Sequence, residues 1–302
     1  MFNLIRINLR IITISYFSQN IKLYFKLALF CFFTSCSKKP EIDPIKLNID
    51  FLIEQGNLLW EQRTDSVALE KAHHFISSAR EERPNDFELT IFLSKIKYSK
   101  ALFFENTPEI QSRLFWEASE LCQSAVLSHK DFIKIFNKTS ENYNQQVINS
   151  LSDAPKSVIL GIYWWAVNLG WFLNKEPVLE RLKYRELLEV LMHRIISLEP
   201  NFYYSGPYRF FGSFYTRIPG IELFKSKTYF DQAIETNPEY LGNLVQMAEF
   251  YYQKSGEREN FHKILTKVIK KDLNDYPELM SENFLFQKRA RKLLEKEVLL
   301  FE

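Results

Sequence analysis

Apolar residues recur three and four positions apart along almost the whole chain beyond Pro44, the spacing that one buried helix face requires. Between Ser66 and Arg83 they are Leu69, Ala72, Phe75, Ile76 and Ala79. Pro84 ends that stripe, and Asn85 or Asp86 stands where a side chain caps the next helix. The same pattern predicts helices over 66–83, 87–104, 108–128, 131–151, 155–174, 178–198, 207–217, 224–236, 240–255, 257–271 and 277–297. No segment alternates convincingly with a period of two, so the class is all-α, with about ten to twelve helices.

Three of these helices share an ending, which predicts that they come in pairs. Arg83-Pro84-Asn85, Glu199-Pro200-Asn201 and Asn237-Pro238-Glu239 each follow an amphipathic run. Ala72, Ile76 and Ala79 stand before Pro84, and Phe230 and Ala233 before Pro238. Small residues around a bulky one, closed by proline, form the second-helix half of a tetratricopeptide repeat. The small residues admit a neighbouring helix, the bulky one fills its groove, and the proline stops the chain. Pro200 and Pro238 lie 38 residues apart, where a regular array would use about 34. The expectation is a degenerate, right-handed solenoid of helical hairpins forming one domain over 45–302, with an irregular helical bundle as the alternative.

The chain before Pro44 reads differently. Arg6, Arg10, Lys22 and Lys26 are the only charges among residues 1–35, and all are positive. The run from Leu27 to Phe33 is too short for a bilayer, which needs about 20 apolar residues, but suits a signal-peptide core. Thr34-Ser35 then place small residues directly before Cys36. That is the reading of a bacterial lipoprotein leader, cleaved ahead of Cys36, with acyl chains on this cysteine and a tether over 36–44. A membrane anchor over 11–35 or a buried first helix are the competing readings, the anchor weakened by Gln19, Asn20, Lys22 and Lys26.

Removing the leader changes the charge picture. The whole chain carries 39 Lys+Arg, 37 Asp+Glu and a formal charge of +2. Residues 36–302 retain 35 basic and 37 acidic side chains, a formal charge of −2. A near-neutral body of this kind argues against nucleic acid as a partner, since that binding needs a clustered positive surface. Cys122 is the one thiol beyond the lipidation site, which leaves no intramolecular disulfide and no metal-ligand spacing.

No phosphate loop, nucleophile elbow or paired metal-binding histidines occur, so no enzyme and no cofactor are expected. His73 and His74 are adjacent and point to different sides of a helix; His129, His193 and His262 are isolated. Lys288, Arg289, Arg291 and Lys292 are expected on a solvated face. Two segments stand out. In the first, 161–171, Trp164, Asn168 and Trp171 fall four and three apart on one face, and a buried amide between two indoles needs partners. Such a stripe suits the wall of a pocket or channel, in which Trp164 and Trp165 would offer apolar contact; its plainer reading is core. In the second, 206–220, Pro207 suits a first helical turn and Pro219-Gly220 ends a short aromatic element. Arg209 and Arg217 within it are candidates for contact with an anion or carboxylate.

The Tyr-Trp-Trp-Ala-x-Asn-Leu-Gly-Trp run (163–171), the Gly-Pro-Tyr-Arg-Phe-x-Gly-Ser-Phe-Tyr-x-Arg-x-Pro-Gly run (206–220) and Tyr-Phe-Asp-Gln-Ala-Ile-Glu-Thr-Asn-Pro-Glu-Tyr-Leu (229–241) together resemble the T component, TatT, of tripartite ATP-independent periplasmic (TRAP) transporters. Ile221-Glu222-Leu223-Phe224 departs from the Gly-Gly-Asp-like turn of that pattern. The resemblance implies a periplasmic, non-catalytic lipoprotein anchored by its lipid to the cell or outer membrane. It also implies a periplasmic solute-binding protein as partner, assembly as a homotrimer, and a channel through each subunit. The regions of Trp164 and Tyr208 become the expected pore or docking surface. A general envelope scaffold unrelated to transport is the alternative function.

Overall fold

The computed structural model describes residues 44–136 and 142–302; the leader, Cys36 and the tether before Pro44 lie outside them. All regular structure among the described residues is helical, without a strand. The helices are α1 (Pro44–Glu61), α2 (Ser66–Glu82), α3 (Phe87–Ser99), α4 (Pro108–Ser128), α5 (Lys130–Ile135), α6 (Tyr143–Leu151), α7 (Ile159–Leu173), α8 (Val178–Lys183), α9 (Arg185–Leu198), α10 (Phe202–Tyr215), α11 (Leu223–Thr236), α12 (Leu241–Gln246), α13 (Arg258–Lys270), α14 (Met280–Glu295) and α15 (Glu297–Phe301). Two of them run on into wider turns of π type, Lys100–Phe104 after α3 and Met247–Tyr252 after α12. None of the described helices is long and apolar enough to cross a membrane.

The capping chemistry explains most boundaries. Asp65 accepts from the Val67 amide at 2.7 Å, Asp86 from Leu89 at 3.1 Å and Asn142 from Gln145 at 3.0 Å. The last of these corrects the single helix expected over 131–151, because Asn142 opens a new helix, α6, well after α5 has ended at Ile135. The helix expected over 178–198 is likewise interrupted at Tyr184 (φ −95°, ψ 0°), without a proline or glycine to enforce the break.

The three pre-proline endings have one geometry. Arg83, Glu199 and Asn237 close their helices at φ −127°, −157° and −132° with ψ 67°, 85° and 72°. A following proline ring crowds the residue before it out of the helical region, so one sequence device gives one bend three times. Ahead of the bends the buried positions also repeat. Ala72, Ile76 and Ala79, Leu188, Met192 and Ile195, and Ser226, Phe230 and Ala233 share the spacing i, i+4, i+7, and all nine are fully buried. In two of the units a glycine on the preceding helix admits the bulky middle residue. A Cβ at Gly56 would lie 2.3 Å from Ile76 Cδ1, and one at Gly212 2.7 Å from the Phe230 ring. Close helix approach is therefore written into α1–α2 and α10–α11 by the same pairing of small against large.

The main core runs through the middle of the chain. It is built on α4 packed along α7, on α9 against α7 and α10, and on α13 and α14. Ile49, Leu69, Ala72 and Ile76 join residues of α3 in a smaller cluster at the N-terminal end. α7 is central because its residues are apolar on nearly every side, so that only a helix surrounded by others can hold it.

Candidate functional site

The site begins with a backbone irregularity. Tyr203, Tyr204 and Ser205 sit at φ 48°, 55° and 57°, a left-handed turn of three non-glycine residues ahead of the right-handed part of α10. Each such residue is disfavoured by about 1–2 kcal/mol, so surrounding contacts must hold the turn. Pro207 then occupies the first right-handed turn, as its fixed φ favours.

Arg209 is the side chain that holds it. Its Nη1 donates to the Tyr204 carbonyl at 3.1 Å and to Asn243 Oδ1 at 2.7 Å. Its Nη2 donates to the Tyr163 hydroxyl at 2.8 Å and to the Tyr203 carbonyl at 3.4 Å. The guanidinium also lies over the Tyr240 ring, 4.6 Å from its centre. Arg209 is only 4% exposed, and among the described residues no carboxylate comes within 4.0 Å of it. Burial pushes the phenols of Tyr98, Tyr163, Tyr203 and Tyr240 above their ordinary range, so none of them ionises to balance the charge at neutral pH. The result is an interior cation solvated only by neutral dipoles and a ring face.

That cation borders a cavity of about 40 Å³ whose walls include Tyr98, Trp164, Trp171, Tyr203, Tyr240 and Phe250. A single water needs roughly 10–15 Å³ by this measure, so the space admits two or three waters or the carboxylate end of a larger solute. Trp164 Nε1 is buried and has no acceptor among the described residues. A second, larger cavity of about 250 Å³ shares Trp171, Asn174 and Phe250 with the first and is bordered by Arg217, Lys175 and Arg289. Arg289 grips Glu249 with two hydrogen bonds and donates to the Leu102 carbonyl at 3.0 Å, linking the two π-type turns.

Of the residues nominated by sequence, Trp164, Trp171 and Arg209 meet at the inner cavity and Arg217 at the outer one. Trp165 faces the other side of α7, against a separate space of about 220 Å³ with Trp116 and Tyr184. Asn168 lies behind the wall rather than in it, donating to the Trp164 carbonyl at 2.7 Å and Ser94 Oγ at 3.0 Å. Tyr208 turns away and pairs with Tyr229, their rings 6.3 Å apart. The basic run near the C-terminus also needs correction: Arg289 points inward, its guanidinium 5.1 Å from the Trp171 ring centre. Tyr98, Tyr203, Tyr240, Asn243 and Phe250 were not foreseen, since they come from distant parts of the chain and only tertiary packing assembles them. The Tyr203-Tyr204 pair just before Gly206-Pro207 was the one local signal. Among the described residues no three His, Cys, Asp or Glu side chains cluster as metal ligands.

Fold and site together define an all-helical protein whose most distinctive chemistry is a buried, charge-unbalanced pocket, suited to binding. The model of the TRAP transporter T-component family matches residues 104–301, about two thirds of the chain and the lining of both cavities except Tyr98, Ala101 and Leu102. The chain belongs to that family, and so to the envelope-associated accessory components of a transporter. No curated protein matches it.

Proposed function

We propose that the protein is the lipid-anchored periplasmic T component of a TRAP transporter, which docks the solute-binding protein and receives a carboxylate-bearing organic solute at Arg209. The observation that carries the solute part is the buried guanidinium with neutral partners only. A carboxylate about 4 Å from a cation gains roughly 4 kcal/mol at the effective dielectric of a protein, against about 1 kcal/mol for a neutral hydrogen bond. An anion therefore suits this cavity better than a neutral polar group, and the aromatic walls give the rest of the solute apolar contact at little entropic cost. The repeated pre-proline hairpins read as degenerate tetratricopeptide units, the scaffold for docking, and the family likeness favours a homotrimer.

Binding of 4-fluorobenzoate, followed by fluorine NMR, tests the solute part. Wild type is expected to bind at least tenfold more tightly than Arg209→Gln; equal binding by both would remove Arg209 as the receptor. Labelling with radioactive palmitate, present in wild type and lost in Cys36→Ala, tests the anchor. In-cell crosslinking that captures the solute-binding protein tests the docking. A general envelope scaffold is the second reading, favoured by an open groove of about 440 Å³ bordered by His73, Arg80, Lys97, Glu117 and Glu120. Crosslinks confined to other envelope proteins would support it.

A further inference from the structure

Two cations beside the outer cavity have no carboxylate partner among the described residues. Arg217 makes no side-chain hydrogen bond and no ion pair among the described residues; its guanidinium only rests on Phe250, 5.6 Å from the ring centre. Lys175 Nζ donates to neutral groups alone, the Pro108 carbonyl at 3.1 Å and Gln111 Oε1 at 2.6 Å. Arg289 is the third cation, and Glu249, which it engages, is the one carboxylate on the lining. Three positive groups against one negative leave this space electropositive.

The wall between the cavities is as telling as the charges. Trp171 and Phe250 belong to both spaces, and each carries a guanidinium on its outer side, Arg289 on Trp171 and Arg217 on Phe250. Trp171 is also stacked on Phe115, 5.7 Å between centres, and stands edge-on to Phe250 at 5.4 Å. Arg209 lies in the right-handed part of α10, and Arg217 follows eight residues later, just beyond the end of the helix at Tyr215. Arg209 borders only the inner cavity and Arg217 only the outer one, so a small solute can occupy them in turn.

We infer that the outer cavity is a separate anion-receiving site, in which Arg217 and Lys175 take up the carboxylate of a small monocarboxylic acid before it passes the Trp171–Phe250 wall to Arg209. The second step rests on the proposed binding of a carboxylate at Arg209, whereas the outer site does not. Arg289 stays bound to Glu249 throughout and fixes the two π-type turns that frame the space, while Arg217, with no structural partner, is free to engage the anion. The aromatic wall separates two cation-lined stations, so the solute loses one charged partner only as it gains the next. Positive charge outside the wall also concentrates anions there, an effect that acts on rates more than on final affinity.

Arg217→Gln tests this, with thermal melting as a check that the fold survives. Iodide and acrylamide quenching of Trp171, isolated by difference against Trp171→Phe, reads the outer site without reference to any solute. Iodide quenching is expected to fall several-fold in Arg217→Gln with acrylamide quenching unchanged; an equal iodide constant in both proteins would overturn the outer site. For the passage, exchange of 4-fluorobenzoate measured by fluorine NMR is expected to slow roughly tenfold in both directions, with the equilibrium affinity held within twofold. Unaltered rates would overturn the staging, and so would faster dissociation with weaker affinity, which would make Arg217 part of the inner site. Failure of wild type itself to bind 4-fluorobenzoate would instead sink the Arg209 reading and the passage with it, leaving the iodide result to decide the outer site alone.

Discussion

The guanidinium of Arg209 is held between the ring face of Tyr240 at 4.6 Å and the hydroxyl of Tyr163 at 2.8 Å, a cation fixed by two phenols rather than by a carboxylate. Tyr163 comes from α7 and Tyr240 from the start of α12, so the contact ties the central helix to the C-terminal third of the chain. Because both rings are rigid and buried, the guanidinium is oriented in advance of any ligand. A cation–π contact of this desolvated kind contributes about 2 kcal/mol, too little to replace bulk water, so the group remains receptive to an anion.

Replacing Arg209 should cost stability as well as binding. Arg209→Met keeps an apolar stem but leaves the Tyr204 carbonyl and Asn243 Oδ1 without their donor. Each buried acceptor so abandoned costs about 1–3 kcal/mol, which gives an expected loss of about 3 kcal/mol in urea unfolding. Arg209→Lys keeps the charge but lacks the planar fork that reaches Tyr204 and Asn243 together, and should recover no more than about half of that loss. Equal midpoints for wild type and Arg209→Met would mean that the left-handed turn does not depend on this side chain.

Gly206 and Tyr163 should behave as one unit. A Cβ at position 206 would fall 2.5 Å from both the Tyr163 hydroxyl oxygen and its Cε2, so Gly206→Ala must displace the ring that supports Arg209. Overpacking of this kind costs about 1–3 kcal/mol. In a Tyr163→Ala background the same substitution meets an empty space and should cost less by at least 1 kcal/mol, a coupling that a double-mutant cycle reads directly. Additive effects would show that the ring yields freely.

How much of this was legible in the sequence depends on whether the signal is local. The all-α class, most helix boundaries and the three bends before Pro84, Pro200 and Pro238 follow from periodicity, caps and proline sterics, each contained within a few residues. The π-type turns at 100–104 and 247–252 escaped notice because one wider turn barely disturbs the spacing of apolar residues. The i, i+4, i+7 stripe on α7 was visible, but the depth of each member was not. Asn168 is drawn back from the cavity by Ser94, 74 residues away, and no pattern along α7 encodes that hydrogen bond. Arg289 looked like one of four surface cations; only Glu249, 40 residues earlier, reveals that it turns inward.

Ser205 offers a test in which the usual order of residues should invert. Its hydroxyl donates to Asn237 Oδ1 at 2.7 Å, so both Ser205→Ala and Ser205→Gly lose that bond. At an ordinary helical position glycine is less stable than alanine by about 0.5–1 kcal/mol. At φ 57° alanine meets the left-handed penalty of about 1–2 kcal/mol while glycine does not. Ser205→Gly is therefore expected to unfold at higher urea than Ser205→Ala. The opposite ranking would place this residue outside the left-handed region in solution.

Cys122 gives a prediction in pH. Its thiol is fully buried on α4, and its Sγ donates to Ser94 Oγ at 3.0 Å. Burial pushes its pKa up from an ordinary 9.0 to about 12, with the Ser94 hydrogen bond opposing the shift. At pH 8 the native thiolate fraction is then about 10⁻⁴, and the nucleophile is the thiolate. With Cys31 and Cys36 replaced by serine, Cys122 should react with an aromatic disulfide reagent only as fast as the protein unfolds, and promptly once denatured. The same shift fixes a sign for stability. The unfolded chain releases this proton near pH 9 and the folded chain near pH 12, so the contribution is constant below pH 9 and declines as pH rises between the two values. Cys122→Ala should flatten that alkaline decline in urea titrations at successive pH values. A decline of equal steepness in both proteins would assign it to the buried tyrosines around Arg209 instead.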